Sequence, residues 1–480
     1  MNYRVIGNFL GNVLKIEALL LLLPFITGII YKEEESVYYL ITAFLTLGIG
    51  LFLSRKKNRG ISVYYSKEGF VSVGLAWIVM GILGALPFVM SGEIPRYIDA
   101  LFETISGFTT TGASILPAPE EMSHATNLWR CTTHWIGGMG IIVFMLAVFP
   151  SNGNSMRLMR AESPGPQVGK LVPKIKDTAK TLYLIYIFLT LAEMIVLCLA
   201  GMPLYDSVCA AFGSAGTGGF GIKNDSMAGY STLIQVVITV FILLFGVNFN
   251  AYYYLIRSKD RKNAFRIEEV KWYFIIVIVS IFIVTMNVRD LFPDFGTSFQ
   301  QSAFQVASII TTTGYATTDF NIWPSLSKAI LVLLMFVGAC AGSTGGGIKV
   351  SRIVIEAKLV KEEIHHFIHP KEVRRIRLDG KSLDEQTIQS VASYILVFML
   401  VFIVSVIMVS INDHDLVSSF TSVAATLNNI GPGLNLVGPT GNYSMFSDFS
   451  KFVLMFDMLA GRLELYPILL LLAPDTYRKI

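Results

Sequence analysis

The chain has 480 residues, 53% of them hydrophobic and only 15% charged, whereas about a quarter of an average soluble domain is charged. A soluble fold of this composition would leave too much apolar surface in water, so an ordinary soluble protein is excluded. The formal net charge of +4 says little by itself, but its placement along the chain says more.

Ten stretches are apolar enough to be read as crossings of a hydrocarbon core about 30 Å thick. They are 13–30, 38–53, 70–90, 136–149, 182–202, 233–256, 272–288, 329–341, 391–409 and 452–472. The first lacks the small-residue cleavage pattern of a signal peptide and is read as a retained helix. Basic residues gather in alternate connections, with five in 54–68, six in 150–180, six in 257–271 and nine in 349–381. Retained Lys and Arg mark the cytoplasmic side, so ten spans put both termini there. The polar stretch 349–383 is either a solvated, topology-setting loop or a basic face for a cytosolic subunit.

The opposite connections share a pattern. Semipolar segments of helix-competent length end in small or hydroxylated residues and then Gly112, Gly218, Gly314 and Gly431, spaced 106, 96 and 117 residues apart. This is an internal repeat of roughly a hundred residues in which a membrane helix precedes and follows each segment. Non-helical backbone at membrane depth is tolerated where protein buries it or where it lines a watery cavity. A short helix that descends halfway and returns as an extended strand turns carbonyl oxygens toward an axis, where four strands can replace the water shell of a cation. The expected fold is an all-α polytopic membrane protein: two N-terminal transmembrane helices (1–60) and four pseudo-symmetric helix–pore loop–helix repeats around one pore (61–160, 161–265, 266–385 and 386–480).

The eighth span is interrupted by glycine-rich sequence from Gly342 to Gly347, where each glycine costs a helix interior about 0.8–1 kcal/mol relative to alanine. Ile348 separates Gly347 from Lys349 and breaks the register of a phosphate-binding loop. Two readings remain: an unwound gate lying across the conduit, or close packing of small residues between helices. In the last span, Asp457 and Glu464 would share one helix face, with Arg462 rotated about 140° away. Arg462 is read as a fixed positive barrier below the pore loops, the alternative being a pair with a carboxylate of another helix.

Other constellations are weaker. Cys131, Cys198, Cys209 and Cys340 have neither metal-ligand nor disulfide spacing, and an exposed basic loop accounts for His365, His366 and His369 more simply than a metal does. No nucleophile with a base is recognisable, so no enzyme is expected, and nothing calls for a nucleic-acid partner.

Seven ordered motifs carry a resemblance that covers nearly the whole chain. They are FETISGFTTTGAS (102–114), HWIGGMG (134–140), GTGGF (216–220), TTTGY (311–315), GSTGGGIK (342–349), NNIGPG (428–433) and AGRLELYP (460–467). With them the chain resembles the Trk/Ktr/HKT superfamily of potassium transporters, within it the bacterial TrkH/TrkG branch. The resemblance implies potassium uptake through a pore made by one subunit in a bacterial cell membrane, with K+ as the transported ion and no bound cofactor. The implied selectivity filter comprises Thr110, Thr111, Gly112 and Ala113; Thr217, Gly218 and Gly219; Thr312, Thr313, Gly314 and Tyr315; and Asn429, Ile430, Gly431 and Pro432. The implied gate comprises Gly342, Ser343, Thr344, Gly345, Gly346, Gly347 and Lys349, and Arg462 matches the basic residue below the filter. Glycine at 112 is similar to potassium-selective members, whereas serine there accompanies sodium entry. Gly216 departs from the serine usual in this branch. Such proteins form homodimers and work with a cytosolic, nucleotide-binding TrkA-type regulatory subunit. Ion-coupled carriage of K+ with H+ or Na+ is the alternative to a channel-like pathway, and fourfold repetition of a pore loop favours the channel.

Overall fold

A computed structural model describes residues 1–55, 66–140, 175–257, 264, 266–372 and 374–478. The basic residues Lys56, Lys57, Arg59, Arg157, Arg160, Lys170, Lys174, Lys259, Arg261 and Lys262, and the part of the expected 136–149 span after Gly140, lie outside these. The chain is almost wholly helical; among the described residues, strand is confined to the two-residue pair β1 (Arg377–Leu378) and β2 (Lys381–Ser382).

The N-terminal hairpin is α1 (Tyr3–Leu20) with α2 (Leu22–Tyr31), which together make one span, and α3 (Ser36–Ser54). Gly11 and Gly50 let α1 and α3 approach closely: a Cβ on Gly11 would lie 2.6 Å from the Gly50 carbonyl oxygen. Small residues at such crossings are how helices pack where lipid supplies no hydrophobic drive.

Each repeat then opens on a long helix: α4 (Ser66–Gly84) continued by α5 (Leu86–Ser91), α8 (Ile175–Leu199), α12 (Glu268–Val288) and α16 (Glu385–Ser410). For the last three, only 28% to 33% of the apolar window is buried, so these helices turn most of their apolar surface outward. A short helix follows each: α6 (Tyr97–Phe108), α9 (Leu204–Gly216), α13 (Phe295–Ile310) and α17 (Leu416–Leu427). Their C-terminal turns are buried throughout, as from Phe304 to Ile310 and from Ser418 to Leu427 apart from Phe420.

The closing helices differ from the expected full spans. They are α7 (His124–Met139), α10 (Thr232–Phe245), α14 (Ser325–Val337) and α18 (Asp448–Arg462), of 16, 14, 13 and 15 residues. At 1.5 Å per residue they reach roughly 20–24 Å and stop short of a full hydrocarbon crossing. The 233–256 stretch bends by 91° between α10 and α11 (Phe249–Arg257). The 329–341 stretch ends its helix at Val337, where Gly338 takes φ +72°. The 452–472 stretch breaks after Arg462, because Glu464 and Leu465 both have positive φ, and resumes as α19 (Tyr466–Leu472). Asp457 and Glu464 therefore do not share a helix face. Such breaks are tolerable in a membrane only where protein or a cavity meets the freed backbone groups.

Charged side chains brace the first repeat internally and join it to its neighbours. Arg130 of α7 donates from Nε to Glu103 of α6 at 2.8 Å, both side chains being at most 1% exposed, and from Nη1 to the Gly221 carbonyl of the second repeat at 3.1 Å. Lys451 of α18 meets Asp99 of α6 at 2.6 Å, closing the fourth repeat on the first. Removing one member of a buried pair strands the other, at a cost of about 3–5 kcal/mol. Arg130→Met is expected to lower the melting temperature of the detergent-solubilised protein markedly, and joint apolar replacement of Arg130 and Glu103 to recover much of the loss.

Candidate ion pathway

The four short helices end alike. The N–H of Thr111, Gly218, Thr313 and Ile430 donates to the carbonyl five residues back (Ser106, Gly213, Ser308 and Ala425) at 2.8–2.9 Å. The residue before each of these donors, Thr110, Thr217, Thr312 or Asn429, takes φ of 53–58°. This is the left-handed helix termination that usually takes glycine or asparagine, and three of the four positions hold a β-branched threonine at a cost of order 1–3 kcal/mol each. Hydroxyls brace the turns: Thr109 bonds Thr111 and Thr311 bonds Thr313, each at 2.8 Å. In the fourth repeat Asn429 Nδ2 donates to Thr111 Oγ1 at 3.0 Å, tying the last strand to the first.

Two residues past each left-handed position lies a glycine with φ between +75° and +95°: Gly112, Gly219, Gly314 and Gly431. The second repeat therefore runs one residue later than the motif spacing suggests, and the equivalent glycine is Gly219 rather than Gly218. The glycines are then 107, 95 and 117 residues apart. Gly218 serves otherwise, since a Cβ there would collide with the His134 ring.

These glycines interlock. A Cβ on Gly112 would strike the Gly218 carbonyl oxygen, one on Gly219 that of Thr313, one on Gly314 that of Ile430, and one on Gly431 would lie 2.7 Å from that of Thr111. The sequence of contacts runs from repeat one to two, three, four and back to one. Four carbonyl-bearing strands thus close into a ring. The strands are also braced from outside: Ser308 Oγ donates to the Tyr315 carbonyl at 2.6 Å, Tyr315 Oη to the Ala210 carbonyl at 3.1 Å, and Tyr443 Oη to the Gly431 carbonyl at 2.6 Å. Ala113 is buried beside Gly112, and Pro432 packs its Cδ on Gly314.

The twelve residues between α14 and α15 (Val350–Ile368) are non-helical and contain 342–347. Gly346 N donates to Thr312 Oγ1 at 2.6 Å, and a Cβ on Gly345 would lie 2.9 Å from the Thr311 carbonyl oxygen, so the loop sits directly against the third strand. Lys349, 2% exposed, folds its ammonium back onto the Gly345 and Gly346 carbonyls. Arg462 donates to the Thr344 carbonyl at 2.8 Å, the Gly138 carbonyl at 2.7 Å and the Gly137 carbonyl. The Arg462 and Lys349 side chains thus take three successive loop carbonyls. Asp457 instead accepts from Ser405 at 2.7 Å, and Glu464 pairs with Arg352.

Below the ring is a cavity of about 70 Å³ lined by Gly138, Leu182, Phe249, Lys349, Gly461 and Arg462 among others. All four repeats contribute to its wall, which identifies it with the shared axis. Cys131, Cys198, Cys209 and Cys340 are free thiols, and among the described residues no cluster of three or more His, Cys, Asp or Glu side chains has metal-binding geometry. His365 pairs with Glu372 at 2.9 Å.

Residues 40–478 match the family model TrkH, described as a cation transport protein. The chain belongs to the TrkH family. Among curated relatives, Trk system potassium uptake protein TrkH of Salmonella typhimurium is 36% identical over 487 residues, covering 100% of both chains. TrkG of Escherichia coli is 32% identical over 99% of each. The crystal structure of the potassium transporter TrkH from Vibrio parahaemolyticus matches with a TM-score of 0.88 and 31% identity over 100% of both chains. The fourfold repeat fold and the multi-pass membrane character follow from this membership together with the apolar helices. Two further groups at the site escaped sequence reading: Glu269, which accepts from the Ala341 and Ser351 N–H groups on either side of the loop 342–347, and Asn248, which donates to Glu269. Glu269 stands in a strongly basic connection, which masked it as one charge among many.

Alanine at Gly219 would place a methyl against the Thr313 carbonyl in a left-handed conformation that costs about 1–2 kcal/mol by itself. Gly219→Ala is expected to cut K+ flux into proteoliposomes at least about tenfold while the protein elutes as wild type.

Proposed function

We propose that this chain carries K+ across the cell membrane through the ring of the Thr111, Gly218, Thr313 and Ile430 carbonyls, with 342–347 as a gate beneath it and Arg462 as an electrostatic barrier. The observation that carries the reading is the closed cycle of glycine–carbonyl contacts. A dehydrated cation needs oxygens from every side to replace its water shell, and four inequivalent repeats supply them only if their strands meet in register. Short-helix carbonyl ends directed at the same region add favourable potential for a cation. The potassium uptake named for the relatives supports the choice of ion. The glycine at 112, closely opposed to the Gly218 carbonyl, supports preference for K+ over Na+.

The filter comprises the residues named from the four motifs, its glycine in the second repeat being Gly219. The segments 1–60, 61–160, 161–265, 266–385 and 386–480 are the N-terminal hairpin and the four repeats. Both termini and the basic connections lie in the cytoplasm, the protein works as a homodimer, and the basic stretch after Lys349 receives a cytosolic, nucleotide-binding regulatory subunit of the TrkA type. Transport is channel-like, and the protein has no enzymatic site.

Arg462 lies on the axial cavity, and a unit positive charge about 4 Å from a permeating cation opposes it by about 1 kcal/mol even at the dielectric constant of water. Arg462→Ala is expected to raise unitary K+ conductance about fivefold in planar bilayers. Currents should still reverse at the K+ potential and ignore imposed pH or Na+ gradients; reversal that follows either gradient would replace conduction by coupled transport.

A further inference from the structure

The two ends of the glycine-rich loop meet at one carboxylate. Glu269, in the first turn of α12, is 5% exposed. Its Oε1 accepts from the Ala341 N–H at 2.6 Å and from the Ser351 N–H at 3.0 Å. Ala341 immediately precedes 342–347, and Ser351 is the second residue of α15. Oε2 accepts from Asn248 Nδ2 at 3.3 Å. Asn248 lies in the break between α10 and α11, where the next residue, Phe249, donates its N–H to the Gly342 carbonyl at 3.0 Å.

The preceding residue reinforces the link. Glu268 pairs with Lys358 of α15 at 2.6 Å, and Lys358 also donates to the Arg377 carbonyl at 2.7 Å. The adjacent acids Glu268 and Glu269 therefore grip α15 at two points about two turns apart, Ser351 and Lys358. Glu269 alone extends the grip to the upstream end of the loop. Hydrogen bonds from backbone N–H to an ionised acceptor are roughly twice as strong as neutral ones. A buried carboxylate that loses a donor pays heavily for it. Displacing α15 removes Ser351 from Oε1, and the loss falls on the same oxygen that fastens Ala341.

We infer that Glu269 is a positioning residue that holds the loop 342–347 closed by fastening both its ends through one carboxylate, so that movement of α15 is converted into release of the loop. The inference rests on the reading of 342–347 as a gate. In this arrangement α15 is the input arm and Glu269 the joint. The Gly345 and Gly346 backbone at the third strand is the part that moves.

The test is K+ flux into liposomes holding the purified full chain, with Glu269→Ala, Glu269→Gln, Asn248→Ala and a thiol-modified Ser343→Cys beside wild type. Glu269→Ala is expected to raise flux about tenfold, the factor for losing one hydrogen bond to a charged group, with the K+ to Na+ permeability ratio unchanged. Glu269→Gln keeps a carbonyl oxygen that accepts both N–H groups and should stay within about threefold of wild type. Asn248→Ala leaves the carboxylate and both its backbone donors, so it serves where Glu269→Ala fails to fold, and a rise of about threefold is expected. Unchanged flux in Glu269→Ala, or in Asn248→Ala should it stand alone, would overturn the inference. So would a changed permeability ratio, or a glutamine variant as leaky as alanine. If modified Ser343→Cys alters flux in any of those cases, the gate stands and only the role of Glu269 falls; if it alters nothing, the gate itself is refuted.

Discussion

The rest of this structure depends on the approach of each ring glycine to the carbonyl oxygen of the next repeat. The distances are short enough that no side chain fits between them, from Gly112 onto Gly218 around to Gly431 onto Thr111. Backbone packed that tightly cannot be solvated from the side, and in a membrane it cannot meet lipid. Everything around it answers that constraint. The short helices are buried at their carbonyl ends, the threonine hydroxyls cap their own turns, and Arg130, Glu103, Lys451 and Asp99 tie the repeats together from outside the ring.

The same constraint explains why the closing helices are short. Each ends at the wall of the cavity under the ring, where Gly138, Phe249, Gly342 and Arg462 lie, so no continuous helix fills that space. The freed backbone is then met by protein. Lys349 and Arg462 serve the loop carbonyls at 344–346, and Glu269 serves the N–H groups at 341 and 351. Lys349 and Arg462 thus occupy loop carbonyls beside the cavity, and side chains so placed compete for acceptors of the kind that hold a dehydrated cation.

Much of this was legible in the sequence, and the parts that were not have physical reasons. The four pore loops were readable because glycine after threonine or asparagine reports a backbone need that few other residues meet. The register in the second repeat was not, because Gly218 and Gly219 are adjacent and only the dihedrals separate the glycine at the ring from the one under His134. Helix breaks at Gly246 and after Arg462 were not foreseen although Asn248, Asn250, Glu464 and Pro467 interrupt the apolar runs, since hydropathy averaged over a window reports burial and not direction. Asp457 and Glu464 share one face only on ideal helix spacing, which cannot foresee the positive φ of Glu464 and Leu465. Glu269 was missed because long-range partners 72 and 82 residues away leave no local pattern.

The central claim is that the Thr111, Gly218, Thr313 and Ile430 carbonyls form one cation site on the axis. Anomalous diffraction from crystals grown in thallium, a heavy monovalent stand-in for K+, tests it most directly. The account predicts a peak on the axis roughly equidistant from the four oxygens, lost when Gly219 is replaced by alanine. A map with no axial peak, or with thallium bound only away from those four oxygens, would contradict it.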